Sequence, residues 1–522
     1  MITLPRPAWL ALPRRRRTAS PRRRFDYTAW LLVLTAIGVA LIVGLASSYL
    51  PLMFSGYSLE KGGGIEWLAL YKPWLIAALI LMMPLVLGAS VRLPTVGLVV
   101  TLMFIFEIVP TAFQPRLPIG GGRLQTYDLL LMFLGLVVMV QAWIAGERPL
   151  LALGPVRWPL YYLGACIFMS LIYVRYFAPN TLALGEARVV IGWLIVPIMV
   201  LAVTTARGYR WMLRVVVAMG VVIALYVSIQ SLFEVRIMTG ARVELLDKDL
   251  NSDVVRSIAG GGVYLVVLSL FLLLNRVLER KIGAWWAIPV ALLLVFGIAV
   301  QFGRGVWLST AAGLLVSAAL FRGFSGVLKV LAAGAVAVAL MLSGAAVFKP
   351  RLAEAVVERA IGIRSEIQTG GSFNWRRMEN QAAIDRIERN PLFGVGLGGQ
   401  YKQTASSEGH FGIEGTYIHN GYLFFPLKMG LFAAFIPLAF MIAFALVLRQ
   451  GVQRHREDPD PGLVAALAGA FAVPCIASYT QPEWSDPRGI AAFAIFIGLA
   501  LLFRRFGAVR PASADKAVPA AP

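Results

Sequence analysis

The sequence predicts an all-α membrane protein, a polytopic helical bundle of about 12–14 transmembrane helices with a small helical cap on its outer, periplasmic face. Three observations carry that expectation. Of 522 residues, 59% are hydrophobic and only 14% are charged, where a soluble domain carries roughly 25% charged residues; mean hydropathy is +0.75. Apolar runs approaching the roughly 20 helical residues needed to cross hydrocarbon recur from one end of the chain to the other. These runs are continuous rather than alternating, and backbone groups in lipid must pair internally, which favours helices over a barrel.

Taken in order, the spans are expected near Trp30–Leu50, Trp74–Ser90, Thr95–Thr111, Asp128–Ala145, Pro159–Val174, Val189–Thr205, Trp211–Leu232, Gly262–Asn275, Ala284–Gln301, Val306–Phe321, Leu328–Phe348, Gly421–Leu448, Leu463–Thr480 and Gly489–Phe503. Orientation follows from Lys and Arg, which are retained on the cytoplasmic side of short loops. Arg14 to Arg17 and Arg22 to Arg24 precede the first span and hold the amino terminus inside. Every second connection agrees, through Arg92, Arg148 and Arg157, Arg207 and Arg214, Arg276 and Lys281, Arg322 and Lys329, Arg449 and Arg454, and Arg504 and Arg505. Both termini are expected in the cytoplasm, and the protein in a bacterial inner membrane.

The chain therefore divides into a basic cytoplasmic tail (1–26), amino-terminal spans (27–255), a region 256–448 that includes an outer loop at 349–418, carboxyl-terminal spans (449–505) and a second tail (506–522). A net charge of +21 would suggest nucleic acid in a soluble protein. Here much of the excess lies at cytoplasmic span ends, where topology and anionic lipid account for it, so no nucleic-acid partner is expected. Cys166 and Cys475 both fall within predicted spans, so neither a disulfide framework nor a thiolate metal site follows.

Function is sought in the outer connections. The loop from Lys349 to Ile418 is too long for structureless coil. Apolar residues at helical spacing over Arg351–Ile363 and Asn374–Glu388 predict helices there. Positive charge outside runs against the topology bias, which draws notice to Arg304 in Gln301-Phe302-Gly303-Arg304-Gly305-Val306-Trp307. Its guanidinium either binds a pyrophosphate through paired hydrogen bonds or anchors the helix at lipid headgroups. His419 precedes Asn420, a helix N-cap by type, at the outer mouth of the next span. A neutral imidazole there can take a proton from an alcohol, and the bland reading is a polar cap. Gly394, Gly396 and Gly399 formally satisfy G-x-G-x-x-G, but they follow a helix rather than a strand and are read as a turn shaping the cap.

In chain order, Gly303-Arg304-Gly305-Val306-Trp307, Arg377 with Pro391-Leu392-Phe393-Gly394-Val395-Gly396, and His419-Asn420-Gly421-Tyr422-Leu423 with Gly430 resemble the O-antigen ligase and polymerase family. The resemblance runs over roughly Arg256 to Gly430 and departs from the family pattern in two places. Gly303 stands where the family often has Ser, and Arg256-Ser257-Ile258-Ala259-Gly260 matches Arg-x-x-Gly only with the glycine displaced by one.

The resemblance implies a glycosyltransferase that moves a glycan from undecaprenyl pyrophosphate to a sugar hydroxyl at the periplasmic face, without nucleotide sugar, metal or other cofactor. The acceptor would be lipid A core for a ligase or a growing polysaccharide for a polymerase. His419 would be the catalytic base, with Glu408 and Glu414 as alternatives; Arg304 and Arg256 would hold the pyrophosphate, with Asn420 and Arg377 supporting. The competing expectation is a lipid-linked oligosaccharide flippase, which would also have many spans but would more naturally carry charge at mid-membrane.

Overall fold

The computed structural model describes residues 87–109, 116–119, 122–233, 243–245, 255–361, 371–401, 415–457 and 460–507. The expected span Trp30–Leu50 and most of Trp74–Ser90 lie outside these residues, as do both tails and the loop stretch containing Glu408, His410 and Glu414. Among the described residues, eight helices are long and apolar enough to cross a membrane, and three shorter apolar helices accompany them. The chain is an all-α polytopic membrane protein.

In chain order the helices are α1 (Pro94–Ile105), α2 (Thr126–Ile144), α3 (Arg157–Tyr176), the short turns α4 (Ala183–Ala187), α5 (Val189–Gly192) and α6 (Ile195–Ala202), α7 (Ala206–Phe233), α8 (Val263–Leu278), α9 (Ala284–Ala299) and α10 (Arg304–Phe348). They continue with α11 (Pro350–Ile361), α12 (Gly371–Arg389), α13 (Gly421–Met429), α14 (Ile436–Arg454), α15 (Pro461–Ala477) and α16 (Pro487–Phe506). The α10 segment breaks at Gly323, whose φ of 59° and ψ of −148° are non-helical, so the expected spans on either side of Arg322 are separate helices. Arg322 donates to the Leu278 carbonyl at 2.6 Å, and Lys349 donates to the Leu232 carbonyl at 3.0 Å. The break therefore returns the chain from one end of the bundle to the other.

Contacts between helix ends sort the charged residues into two groups. At one end, Arg276 grips Asp460 with paired hydrogen bonds of 2.8 and 2.7 Å, and Arg504 meets Gln450 and the Ala152 carbonyl. Those arginines come from the set that the sequence assigns to the cytoplasm. At the opposite end lie Arg304, His419, Glu107 with Arg488, and the turn joining α15 to α16.

The centre is α16, apolar on every face and buried from Gly489 to Phe503, as a helix surrounded by others must be. Asp486 caps it by accepting from the backbone N–H groups of Arg488 and Gly489 at 2.9 and 3.2 Å, and Pro487 supplies a first-turn residue with no N–H to satisfy. Just before it, Trp484 is fully buried and stacks on Phe493 with ring centroids 3.9 Å apart. Trp193, 6.2 Å from Trp484, stacks in turn on Phe440. These rings pin the α15–α16 turn into the bundle.

The structure departs from the sequence expectation in four places. The span expected at Gly421–Leu448 is interrupted at Gly430, which takes φ 92°; a 3₁₀ turn, Leu431–Phe435, leads from it into α14. The span at Val189–Thr205 is a chain of short helical turns rather than one helix. Two antiparallel hairpins, Arg116–Ile119 with Gly122–Gln125 and Val243–Leu245 with Val255–Ser257, occupy connections where no strand was expected. The expected loop helices are present as α11 and α12, slightly displaced from the predicted bounds.

Candidate active site

The α9 helix ends at Ala299, and four residues turn the chain into α10, which begins at Arg304. The residue in the left-handed region of that turn is Phe302, with φ 49° and a fully buried ring, rather than either flanking glycine. Gly305 is needed for a different reason: a Cβ there would sit 2.9 Å from Oγ1 of Thr480, in the α15–α16 turn. Arg304 is partly buried and its Nε donates to the Arg359 carbonyl at 3.0 Å. The Arg359 guanidinium charge acts on that of Arg304, so two arginines, one from α10 and one from α11, concentrate positive charge at this end of the bundle.

Arg256 lies in the strand Val255–Ser257, where its backbone is paired opposite Glu244; its side chain is outside the described ones. That strand is fastened to the Arg304 turn, because the Ser257 N–H donates to the Val300 carbonyl at 3.3 Å and the Ala259 N–H to Oε1 of Gln301 at 3.4 Å.

His419 stands immediately before α13. Asn420 caps this helix, its Oδ1 accepting from the backbone N–H groups of Tyr422 and Leu423 at 3.0 and 3.3 Å. Nδ1 of His419 is 2.9 Å from Oε2 of Glu379, and the His419 backbone N–H donates to the same oxygen at 3.1 Å. The Glu379 side chain is 1% exposed and that of His419 is 22% exposed. With an ionised carboxylate as acceptor, a neutral imidazole carries its hydrogen on Nδ1 and keeps the Nε2 lone pair available. The Tyr417 ring meets the imidazole edge-on at 4.8 Å and 87° and fixes the ring plane.

Around Glu379 the environment is largely closed. Arg376, one turn earlier on α12, is buried enough that desolvation pulls its guanidinium below the ordinary arginine value, with the charges of Glu379 and Tyr417 opposing. Burial, and next the Glu379 charge, push the Tyr401 hydroxyl upward; that hydroxyl donates to the Tyr417 carbonyl at 2.7 Å. Arg377, the arginine singled out from the sequence, is on the exposed side of the helix. Of the two adjacent arginines, the one brought to the histidine's carboxylate is Arg376.

The α15–α16 turn joins the two halves of the site. Besides Thr480 against Gly305, it accepts the Gly421 N–H at the carbonyls of Ser478 (2.8 Å) and Gln481 (3.3 Å). The same turn holds Glu483, buried, whose carboxyl is pushed up to about 8 by burial and then by Asp486, with Tyr264 and Arg488 opposing. Sequence reading missed Glu379, Arg359 and this turn. No local signal marks any of them, since each acquires its place through long-range packing. Glu408, Glu414 and His410 lie outside the described residues. Among the described residues no three His, Cys, Asp or Glu side chains converge as a metal site would require.

The arrangement can remove a proton through an oriented imidazole and can hold an anion against arginine. No curated protein matches the chain. A family model does match, over residues 289–438, and its description is O-antigen ligase. That interval contains Arg304, Arg359, Glu379, His419 and Asn420, and leaves Arg256 outside it. Over residues 289–438 this membrane protein is thus similar to the O-antigen ligase family, as the sequence resemblance implied.

Proposed function

We propose that the chain is an inverting glycosyltransferase of the O-antigen ligase or polymerase type, working at the periplasmic face of the inner membrane. Its donor is a glycan on undecaprenyl pyrophosphate, and its acceptor is a sugar hydroxyl on lipid A core or on a growing polysaccharide. The observation that carries the reading is the His419–Glu379 pair: a base oriented by a buried carboxylate at the mouth of a helix. A transporter needs no such pair.

The step uses groups of the chain. The acceptor hydroxyl loses its proton to Nε2 of His419 as its oxygen attacks the anomeric carbon. The bond from that carbon to the pyrophosphate oxygen breaks, and undecaprenyl pyrophosphate leaves with the electron pair. Glu379 keeps the imidazole in the tautomer that can accept and stabilises the imidazolium that forms. Arg304, with Arg359 beside it and Arg256 on the attached strand, offsets charge growing on the leaving group. Direct displacement inverts the anomeric configuration.

The test is reconstitution of the full chain in proteoliposomes with an undecaprenyl pyrophosphate-linked glycan and an acceptor glycan. Release of undecaprenyl pyrophosphate together with a lengthened acceptor of inverted linkage supports the reading. Movement of intact lipid-linked glycan across the bilayer with no bond broken would replace it with the flippase alternative.

A further inference from the structure

The far end of the base-bearing helix carries an ion pair for which the chemistry above has no use. Lys428, near the end of α13, is fully buried, and its ammonium donates to Oε1 of Glu186 at 3.0 Å and to the Gly399 carbonyl at 2.8 Å. The other oxygen of Glu186 accepts from the Gly398 N–H at 2.7 Å. Ser170 of α3 does the same twice over: its hydroxyl donates to the Lys428 carbonyl at 3.0 Å and accepts from the Leu397 N–H at 3.2 Å. Asn180 donates to the Leu397 carbonyl at 2.9 Å.

These contacts all converge on the glycine-rich loop, residues 390–399, which follows directly from α12. The loop is also hydrogen-bonded to the end of α13, Val395 to Leu427 and Leu431 to Pro391, each at 2.8 Å. Gly394, Gly396 and Gly398 all take positive φ, and a Cβ on Gly394 would collide with the Leu427 carbonyl. The G-x-G-x-x-G stretch is thus a close-packed joint between helices.

The topology makes this joint a register device. The α12 helix brings Glu379 and α13 brings His419. From Glu379 to the end of α12 is about 15 Å of helix, and from His419 to Lys428 about 13 Å, at 1.5 Å per residue. The two arms are fastened together at one end by the His419–Glu379 contact and at the other by the loop, Lys428 and Glu186. A slip at the lower fastening is transmitted along two short rigid arms to the upper one. A buried ion pair is a poor source of stability, because desolvation offsets its attraction, and its best-attested use is to fix registry.

We infer that Lys428 and Glu186 are positioning residues that set the distance between His419 and Glu379. Glu186 lies outside the O-antigen ligase domain, as do Ser170 and Asn180, so the amino-terminal half of the chain aligns the base. The inference rests on the reading of His419 as that base.

The experiment measures glycosyl transfer by the full chain in proteoliposomes for Glu186→Gln and for the double variant Lys428→Met with Glu186→Leu, which leaves no unpaired charge buried. Both are expected to insert; the double variant should hold a melting temperature near wild type, while Glu186→Gln, which leaves the Lys428 ammonium buried without its counter-charge, should lower it. Turnover is expected to fall about 10- to 100-fold, since a misplacement near 1 Å costs that much, while KM for the donor moves less than twofold. In a Glu379→Gln background the same substitutions should have no further effect on turnover, because the contact they set is already gone; in an Arg304→Lys background the losses should multiply. Wild-type turnover in the latch variants, or an undiminished loss in the Glu379→Gln background, overturns the inference. A fully active His419→Ala variant overturns instead the reading on which it stands.

Discussion

Nδ1 of His419 lies 2.9 Å from Oε2 of Glu379, a carboxylate forty residues earlier in the chain. The backbone N–H of the same histidine reaches the same oxygen, so Glu379 fixes both the ring and the chain that bears it. A carboxylate used in this way sets orientation and tautomer, and its loss should resemble loss of the base.

His419→Ala should lower turnover by about 10²–10⁴ with donor binding retained. Glu379→Gln, which presents an amide to Nδ1, should produce a loss of similar order, and the double variant should be little worse than either alone. Single-turnover transfer rates beside donor-binding isotherms measure this. Near-normal rates for His419→Ala with a dead Glu414→Ala would move the base to that carboxylate.

At the donor end, Arg304→Ala should abolish transfer while leaving the protein inserted. Arg304→Lys should recover it poorly, because a point charge does not reproduce paired guanidinium contacts to a pyrophosphate. Arg359→Ala should weaken donor binding as well, since its charge lies beside that of Arg304, and Arg256→Ala should be the mildest of the three. Donor-binding isotherms compare all three, and donor KM those that still turn over; near-normal product with Arg304→Ala would reduce that residue to an anchor.

Topology can be checked by labelling single cysteines in intact cells. Gln368→Cys, between α11 and α12 in sequence, should react with an impermeant reagent, whereas Gln450→Cys, which neighbours Arg504, should react only after lysis. The reverse pattern would put His419 on the cytoplasmic side.

Glu483 makes stability depend on pH. Its folded-state value, about 8, is above the ordinary carboxylate value of 4.5. Between those pH values the folded chain holds a proton that the unfolded chain has released, so stability should fall as pH rises from about 4.5 to about 8 and then level off. Glu483→Gln should remove that slope and stabilise the protein above pH 8, on the order of a few kcal/mol. Thermal unfolding in detergent across this range tests the sign; a wild-type stability that rises with pH there contradicts it.

The sequence declared the helices because burial in lipid demands long apolar runs, and it declared Arg304 and His419 because each breaks a local rule, one of charge and one of rarity. Glu379 broke none: it is one of several acidic residues on a polar helix, and only the fold makes it 3% exposed. The same holds for Arg376 and Arg377, adjacent and identical in type, whose different surroundings follow from which face of α12 meets His419. Glycines told the opposite story. Gly394 and Gly396 were visible as punctuation, but the reason for them, a neighbouring helix too close for a side chain, is a property of the pair of segments.

The α15–α16 turn touches Gly305 on one side and Gly421 on the other, yet it begins forty residues beyond the end of the interval that matches the O-antigen ligase family. A chain cut after residue 438 would retain Arg304, Arg359, Glu379 and His419 and still lack the surface on which their segments meet. The matched interval is in that sense an unfinished arch, and its keystone is a turn that is synthesised after it. Until that turn is in place, Gly305 and Gly421 have no common surface to pack on, so completion of the site waits on chain that lies beyond the matched interval.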